Sequence, residues 1–252
     1  MKEPMYVAFS TQKGGAGKTT LTVLVASYLH YLKGCNVAVV DCDYPQHSIA
    51  EMRKRDMQMC LTDDHYKAMA HEQFARLGKR AYDVLESTPE GALEKAQQLI
   101  DTGIELDYIF FDLPGTINNA GVVRTLGSMD YIFTPISADR VVLESSLRYA
   151  NVLNDTMIST GRSKIKGLYM LWNIVDGREK SELYAQYEEV IHRLGINILK
   201  TFMPDSKRFR KEATAGHKPL FRSTLFPAER SQVKGSNLEE LAEEILGIIN
   251  GE

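Results

Sequence analysis

Lys13-Gly14-Gly15-Ala16-Gly17-Lys18-Thr19-Thr20, directly behind the apolar run Met5-Tyr6-Val7-Ala8-Phe9, decides how the rest of the chain is read. Its three glycines let successive backbone N–H groups turn toward one point, as binding a polyphosphate requires. Lys18 brings a mobile positive charge for β and γ phosphates, and the Thr19 hydroxyl is a ligand for Mg²⁺. Thr20 stands where it caps the following helix or meets the α phosphate, two roles that a helix N-terminus reconciles. Gln12 occupies the place of the first glycine in the generic G-x-x-x-x-G-K-[ST] pattern, and a second lysine, Lys13, stands at the front of the loop.

Working outward, short apolar runs alternate with stretches of helical period. Strands are predicted over 5–9, 36–41, 82–86, 108–112, 131–135, 165–173 and 197–203. Helices are predicted over 19–33, with Gly34 as its stop, and over 89–102, 138–159, 180–194, 206–213 and 237–249. Residues 48–81, charged and weakly periodic, read as one helix and a variable connection. This alternation predicts an α/β fold, a doubly wound, mostly parallel sheet with helices on both faces, in which ligand chemistry gathers at the C-terminal ends of the strands. No repeat, linker or low-complexity segment divides the chain, so a single domain over 1–252 is expected.

A composition of 44% apolar and 25% charged residues is that of a soluble globular protein, and no apolar run approaches the ~18 residues of a membrane span. Met1-Lys2-Glu3-Pro4 has none of the marks of a signal peptide, so a cytoplasmic protein is expected. Cys35, Cys42 and Cys60 form no C-x-x-C pair and read as free thiols, and the histidines lack H-E-x-x-H spacing. The net charge of −3 gives no reason to expect nucleic acid, but its distribution does. Residues 200–222 carry seven lysines and arginines against two acids, whereas 237–252 carry five glutamates and no basic residue.

Two strand ends carry carboxylates. The first is Asp41-Cys42-Asp43-Tyr44-Pro45-Gln46, where one acid can orient and deprotonate a water beside a γ phosphate while the other joins the outer shell of Mg²⁺. The second is Tyr108-Ile109-Phe110-Phe111-Asp112-Leu113-Pro114-Gly115-Thr116. It delivers one acid at the tip of an apolar strand, suited to hold Mg²⁺, ahead of a glycine free to move as a γ phosphate comes and goes.

K-G-G-x-G-K-T-T resembles the deviant Walker A loop of the ParA/MinD family of ATPases. The segment from Asp41 is similar to that family's D-x-D-P-Q element, with Tyr44 intruding, and Asp112-Leu113-Pro114-Gly115 is similar to its switch segment. The resemblance implies a P-loop NTPase of the deviant Walker A type that binds ATP and Mg²⁺. Lys13, Lys18 and Asp43 would be catalytic, Thr19, Asp41 and Asp112 would surround the metal, and Gly14, Gly15, Ala16, Gly17, Lys18, Thr19 and Thr20 would hold the phosphates. Asn173 would bond adenine and Pro204-Asp205 would pack against it, although ordinary turn chemistry accounts for the same residues. It further implies slow, partner-stimulated hydrolysis and an ATP-dependent homodimer in which Lys13 reaches the other subunit's nucleotide. Nonspecific DNA would be bound through Lys207, Arg208, Arg210 and Lys211, and a ParB-like activator would reset the cycle. The role expected is partitioning, positioning or transfer of a plasmid or conjugative element. Two alternatives stand beside it: a MinD-like positioning ATPase without DNA binding, and a metabolic ATP-dependent ligase of the dethiobiotin synthetase type. The acidic stretch 237–252 disfavours membrane attachment, and Lys13 with the basic segment disfavours the ligase.

Overall fold

Residues 3–178 and 181–251 are described in a computed structural model of the chain; the readings made for Met1-Lys2, Lys180 and Glu252 lie outside the described residues. Strand β1 (Met5–Phe9) runs through the glycine loop into α1 (Lys18–Tyr31), then β2 (Val37–Asp41) leads to α2 (Ser48–Thr62) and α3 (Asp64–Leu77). There follow β3 (Asp83–Glu86), α4 (Ala92–Asp101), β4 (Tyr108–Asp112), α5 (Ala120–Leu126), β5 (Tyr131–Ile136) and α6 (Arg140–Leu153). The chain ends with β6 (Gly167–Trp172), α7 (Ser181–Arg193), β7 (Asn197–Ile198), α8 (Arg230–Val233) and α9 (Leu238–Asn250).

The strands form one parallel sheet in the order β3-β2-β4-β1-β5-β6-β7. Every residue of β2 and β4 is buried, as expected of strands covered on both faces. Helices α1 and α9 pack on one face, with Leu24, Leu241 and Ile245 in the same core; α4, α5, α6 and α7 cover the other through Ala96, Val122, Leu143 and Ile191. Register positions the chemistry: Asp41 pairs with Asp112 across β2 and β4, and Ala8 pairs with Phe111 across β1 and β4. Two acids and the start of the glycine loop are thereby brought to one edge of the sheet.

Several expectations are corrected by local chemistry. Residues 48–81 hold two helices, because Asp63 takes an extended conformation and its side chain accepts from the His65 amide to cap α3. The helix expected over 206–213 shrinks to a single 3₁₀ turn, Lys207–Arg210, after which Lys211 is extended. The strand expected over 197–203 pairs only at β7; beyond it, the amides of Leu199 and Met203 still bond Met170 and Trp172 carbonyls. The helix expected over 138–159 changes pitch after Leu153 into a π turn, Asn154–Ile158. The short helices α5 and α8 were not foreseen, each being too brief to show a period.

A third apolar cluster, built on Tyr66, Leu220, Leu225 and Phe226, fastens residues 211–226 across α2 and α3. This strap is held by polar groups as well. Asp56, 3% exposed on α2, accepts from the Ser223 hydroxyl at 2.9 Å, the Thr224 amide at 2.7 Å and the Thr224 hydroxyl at 2.8 Å. Arg53 donates to the Thr224 carbonyl at 3.0 Å and the Tyr82 carbonyl at 2.8 Å, and Gln73 to the Leu225 carbonyl at 2.7 Å. Because Asp56→Ala strands three buried donors at once, we expect a loss of about 3 kcal/mol of folding stability, read as a lowered urea midpoint at unchanged slope.

Candidate functional site

The glycine loop leaves β1 and turns sharply into α1, with Gly15 at φ +77° and Gly17 at φ +92°. Gly17 is the N-cap residue of α1 and offers no side-chain acceptor, so the helix begins as an open set of amide donors. A side chain at Gly17 would be strained by its φ and would also come within 2.4 Å of the Asn173 amide nitrogen. Gly115 is tight for a similar reason: a Cβ there would meet Lys18 Nζ at 3.1 Å and the carbonyls of Thr11 and Gln12 at 3.2 Å. The segment after β4 therefore lies against the loop, with little room for a Cβ at Gly115.

Thr19 Oγ1 donates to Asp112 Oδ2 at 2.8 Å. Asp112 is fully buried, and its Oδ1 has no partner. Burial pushes the carboxyl up to about 7; the Thr19 bond opposes the shift, Asp41 and Asp43 add to it, and Lys18 opposes it. Burial likewise lowers the Lys18 ammonium, with Asp112 and Asp43 acting to restore its charge. An orphaned carboxylate oxygen next to a threonine hydroxyl, at the foot of a phosphate loop, is a donor set that fits Mg²⁺.

The two aspartates after β2 separate in role. Asp43 lines a cavity of about 450 Å³ with Gln46, Ser48, Lys18, Thr19 and Gly115. Its backbone carbonyl accepts from the Gln46 and His47 amides, so the extra Tyr44 is absorbed in a turn that carries its ring outward, 62% exposed. Asp41 departs from expectation. Its carboxylate is fully buried, with Oδ2 accepting from the Ile49 and Ala50 amides at 2.9 and 3.0 Å and Oδ1 from the Asp43 amide at 3.3 Å. It thereby caps the start of α2 from the end of β2. The Asp112 oxygen without a partner is the one left to serve a cation.

On the other side of the loop, Asn173, Pro204 and Asp205 meet around a cavity of about 140 Å³ that also includes Gly15, Gly17 and Thr20. Asn173 and the adjacent pair Pro204-Asp205, about thirty positions on, are brought together there by a parallel bridge between Val175 and Pro204 and by the Asp205 amide donating to the Val175 carbonyl at 2.8 Å. Asn173 Nδ2 donates to the Ala16 carbonyl at 2.8 Å, which ties this cavity to the loop.

The basic segment divides. Arg208 donates to the Gln232 and Lys234 carbonyls at 2.7 and 2.8 Å, and Lys211 to Gln232 Oε1 at 2.7 Å. Both are thereby engaged in holding the chain at α8, a correction to their expected place on a DNA-facing patch. Lys207 and Arg210 are exposed, and Arg210 also lines the smaller cavity. Lys13 is exposed and has no ion pair or hydrogen bond among the described residues. Arg222, which no motif or spacing singles out, donates to Thr20 Oγ1 at 2.7 Å and lines the same cavity as Asn173. Its place becomes visible only once the strap is folded, 202 positions after Thr20.

Among the described residues no helix is long and apolar enough to cross a membrane, and no cluster of three or more His, Cys, Asp or Glu residues could hold a metal ion. A metal at this site would therefore depend on hydroxyl and phosphate oxygens beside Asp112.

Known proteins agree with this geometry. The chain is 25% identical over 240 residues to the sporulation initiation inhibitor protein Soj of Bacillus subtilis, covering 85% of this chain and 89% of Soj. Its fold is similar to the cell division ATPase MinD of Pyrococcus furiosus, with a TM-score of 0.62 at 19% identity over 98% of this chain and 100% of that one. It is also similar to a plasmid partition protein of Borrelia burgdorferi bound to AMPPNP, with a TM-score of 0.59 at 16% identity over 97% and 99% of the two chains. The family model described as the CobQ/CobB/MinD/ParA nucleotide binding domain matches residues 7–220. With loop, acid-tipped strands and sheet order all in place over that span, the chain belongs to the CobQ/CobB/MinD/ParA family of nucleotide-binding domains.

Proposed function

We propose that this chain is an ATP-driven molecular switch: ATP pairs it with a second copy of itself, the pair binds DNA without regard to sequence, and hydrolysis stimulated by a partner protein releases it. The role we assign is partition or positioning of a plasmid or other mobile element. The observation that carries this proposal is Lys13. One lysine of the loop, Lys18, points into the phosphate cavity, while the other stands exposed and unpaired among the described residues. An exposed cation at the front of a phosphate loop, with no acceptor among the described residues, is suited to a phosphate held by a second copy. The similarity to Soj and to an AMPPNP-bound plasmid partition protein favours this use over metabolism.

The residues then divide the work. The open amides of α1 and the glycine loop take the polyphosphate, and the half-buried Lys18 supplies charge where screening by water is reduced. Thr19 and Asp112 would hold Mg²⁺, which when bound neutralises charge on the β and γ phosphates. Asp43, on the wall of the cavity, orients water toward the γ phosphate and accepts its proton. Gly115, packed against Lys18, is placed to register loss of that phosphate. The membrane-bound alternative has little support from α9: Leu241 and Ile245 are buried, Glu243 pairs with Lys33, and Glu244 accepts from the Lys200 and Thr201 amides.

The central test is Lys13→Ala. ATP affinity should stay within about twofold, since the side chain is exposed and screened, while ATP-dependent dimerisation measured by light scattering is lost. Dimers that persist would remove the role in trans.

For Asp112, folding raises the carboxyl above its unfolded value, so the nucleotide-free fold loses stability as pH rises from about 4 toward about 7. In chelator, Asp112→Asn should flatten this dependence and stabilise the protein at pH 8 by on the order of 3 kcal/mol. The same variant should lose the gain in ATP affinity that Mg²⁺ gives the wild type, as titrations with and without the metal will show.

For the DNA step, Lys207→Ala should lower the log–log salt slope of ATP-dependent DNA retention by about 0.9 at unchanged ATP affinity. An identical slope would take Lys207 off the DNA face.

A further inference from the structure

We infer that Arg222 is a nucleotide-binding residue that grips the α phosphate, an inference that rests on the ATP site proposed above. The guanidinium is held at two points: one amino group donates to Thr20 Oγ1 at 2.7 Å and the other to Glu212 Oε1 at 2.6 Å. Its Nε–H is buried and has no acceptor. A guanidinium presents its donors as a rigid fork suited to phosphate oxygens, and a buried donor without a partner is costly to leave so. The residue lines a cavity that the glycine loop also lines, and a charged fork held there by two hydrogen bonds is suited to an anionic ligand.

Which phosphate it meets follows from the order of groups along the loop. Lys18, Asp43 and Gly115 line the larger cavity and mark the γ end, while Asn173 and Pro204 line the smaller one and mark the base end. Thr20 lines both cavities, and Arg222 only the one at the base end. A nucleotide spanning the two places its innermost phosphate at Thr20, within reach of the arginine bonded to that hydroxyl. Glu212 keeps the side chain in place, and it also accepts from Arg55 of α2 at 3.4 Å, so it does not fully neutralise Arg222.

ATP and ADP share an α phosphate, so the contact strengthens binding of both and does not distinguish them. The discriminating experiment compares binding of ATP, ADP and the two α-thio diastereomers of ATP to wild type, Arg222→Ala and Arg222→Lys by calorimetry. Expected for Arg222→Ala is a loss of about tenfold for ATP and ADP alike, together with collapse of the wild-type preference between the diastereomers. Arg222→Lys, which keeps charge but not the fork, should lose less, again equally for ATP and ADP, and it carries the test if the alanine variant does not fold. Unchanged affinities and an unchanged diastereomer preference would overturn the assignment while leaving the ATP site standing. A loss confined to ATP would move the arginine to the γ phosphate and overturn it also. Failure of the wild type to bind ATP would instead overturn the site on which the inference rests.

Discussion

The hydrogen bond from Thr19 to Asp112 joins the first turn of α1 to the tip of a strand at the centre of the sheet, and the site is organised around it. Because β4 lies between β1 and β2, one carboxylate reaches the glycine loop on one side and the acids after β2 on the other. Burying that carboxylate with one oxygen unpaired is unfavourable in the isolated chain, as its raised pKa records. The cost is the electrostatic counterpart of affinity. In a fold that pre-positions an unsatisfied acid near a half-buried lysine, a polyphosphate and a cation held there would recover that cost.

The same loop is constrained from the base side. Asn173 reaches from the end of β6 to the Ala16 carbonyl, and Gly17 lacks the Cβ that would strike it. Base and phosphate cavities therefore share a wall whose shape depends on two glycines in left-handed conformations, Gly15 and Gly17. A ligand that fills one cavity acts on a loop already held by the other. This gives a physical reason for a single nucleotide to span both.

How much of this was legible in the sequence depends on how local each determinant is. The glycine loop, the acid ending 108–112 and the parallel alternation of strands and helices all lie within contiguous segments, and each has a pattern of its own. Asp43 lines the cavity despite the Tyr44 interruption because the turn absorbs the extra residue without moving the acid off the wall. The place of Asp41 was not legible, since nothing in its spacing shows that the amides of Ile49 and Ala50 fold back onto it. Arg208 and Lys211 read as part of a DNA-facing charge run until the Gln232 and Lys234 carbonyls and the Gln232 side chain, more than twenty positions on, are brought to them. Side chains that bond distant backbone leave no periodic trace, and these account for most of the differences.

The strap over 211–226 shows what such distant bonding achieves. Its buried hydroxyls close on Asp56, its carbonyls on Arg53 and Gln73, and its one arginine at position 222 on Thr20. All but the last of these contacts anchor the strap to α2 and α3, which follow the Asp43 turn. The segment thus bridges the helices that follow the Asp43 turn and the helix that follows the glycine loop. Hydrogen bonds at both ends tie the two elements to this one segment. A chain built this way needs no separate domain to relate the state of its phosphates to its surface, since the covalent path from Asp205 to Arg222 already runs from the base cavity, past the exposed Lys207, to the loop.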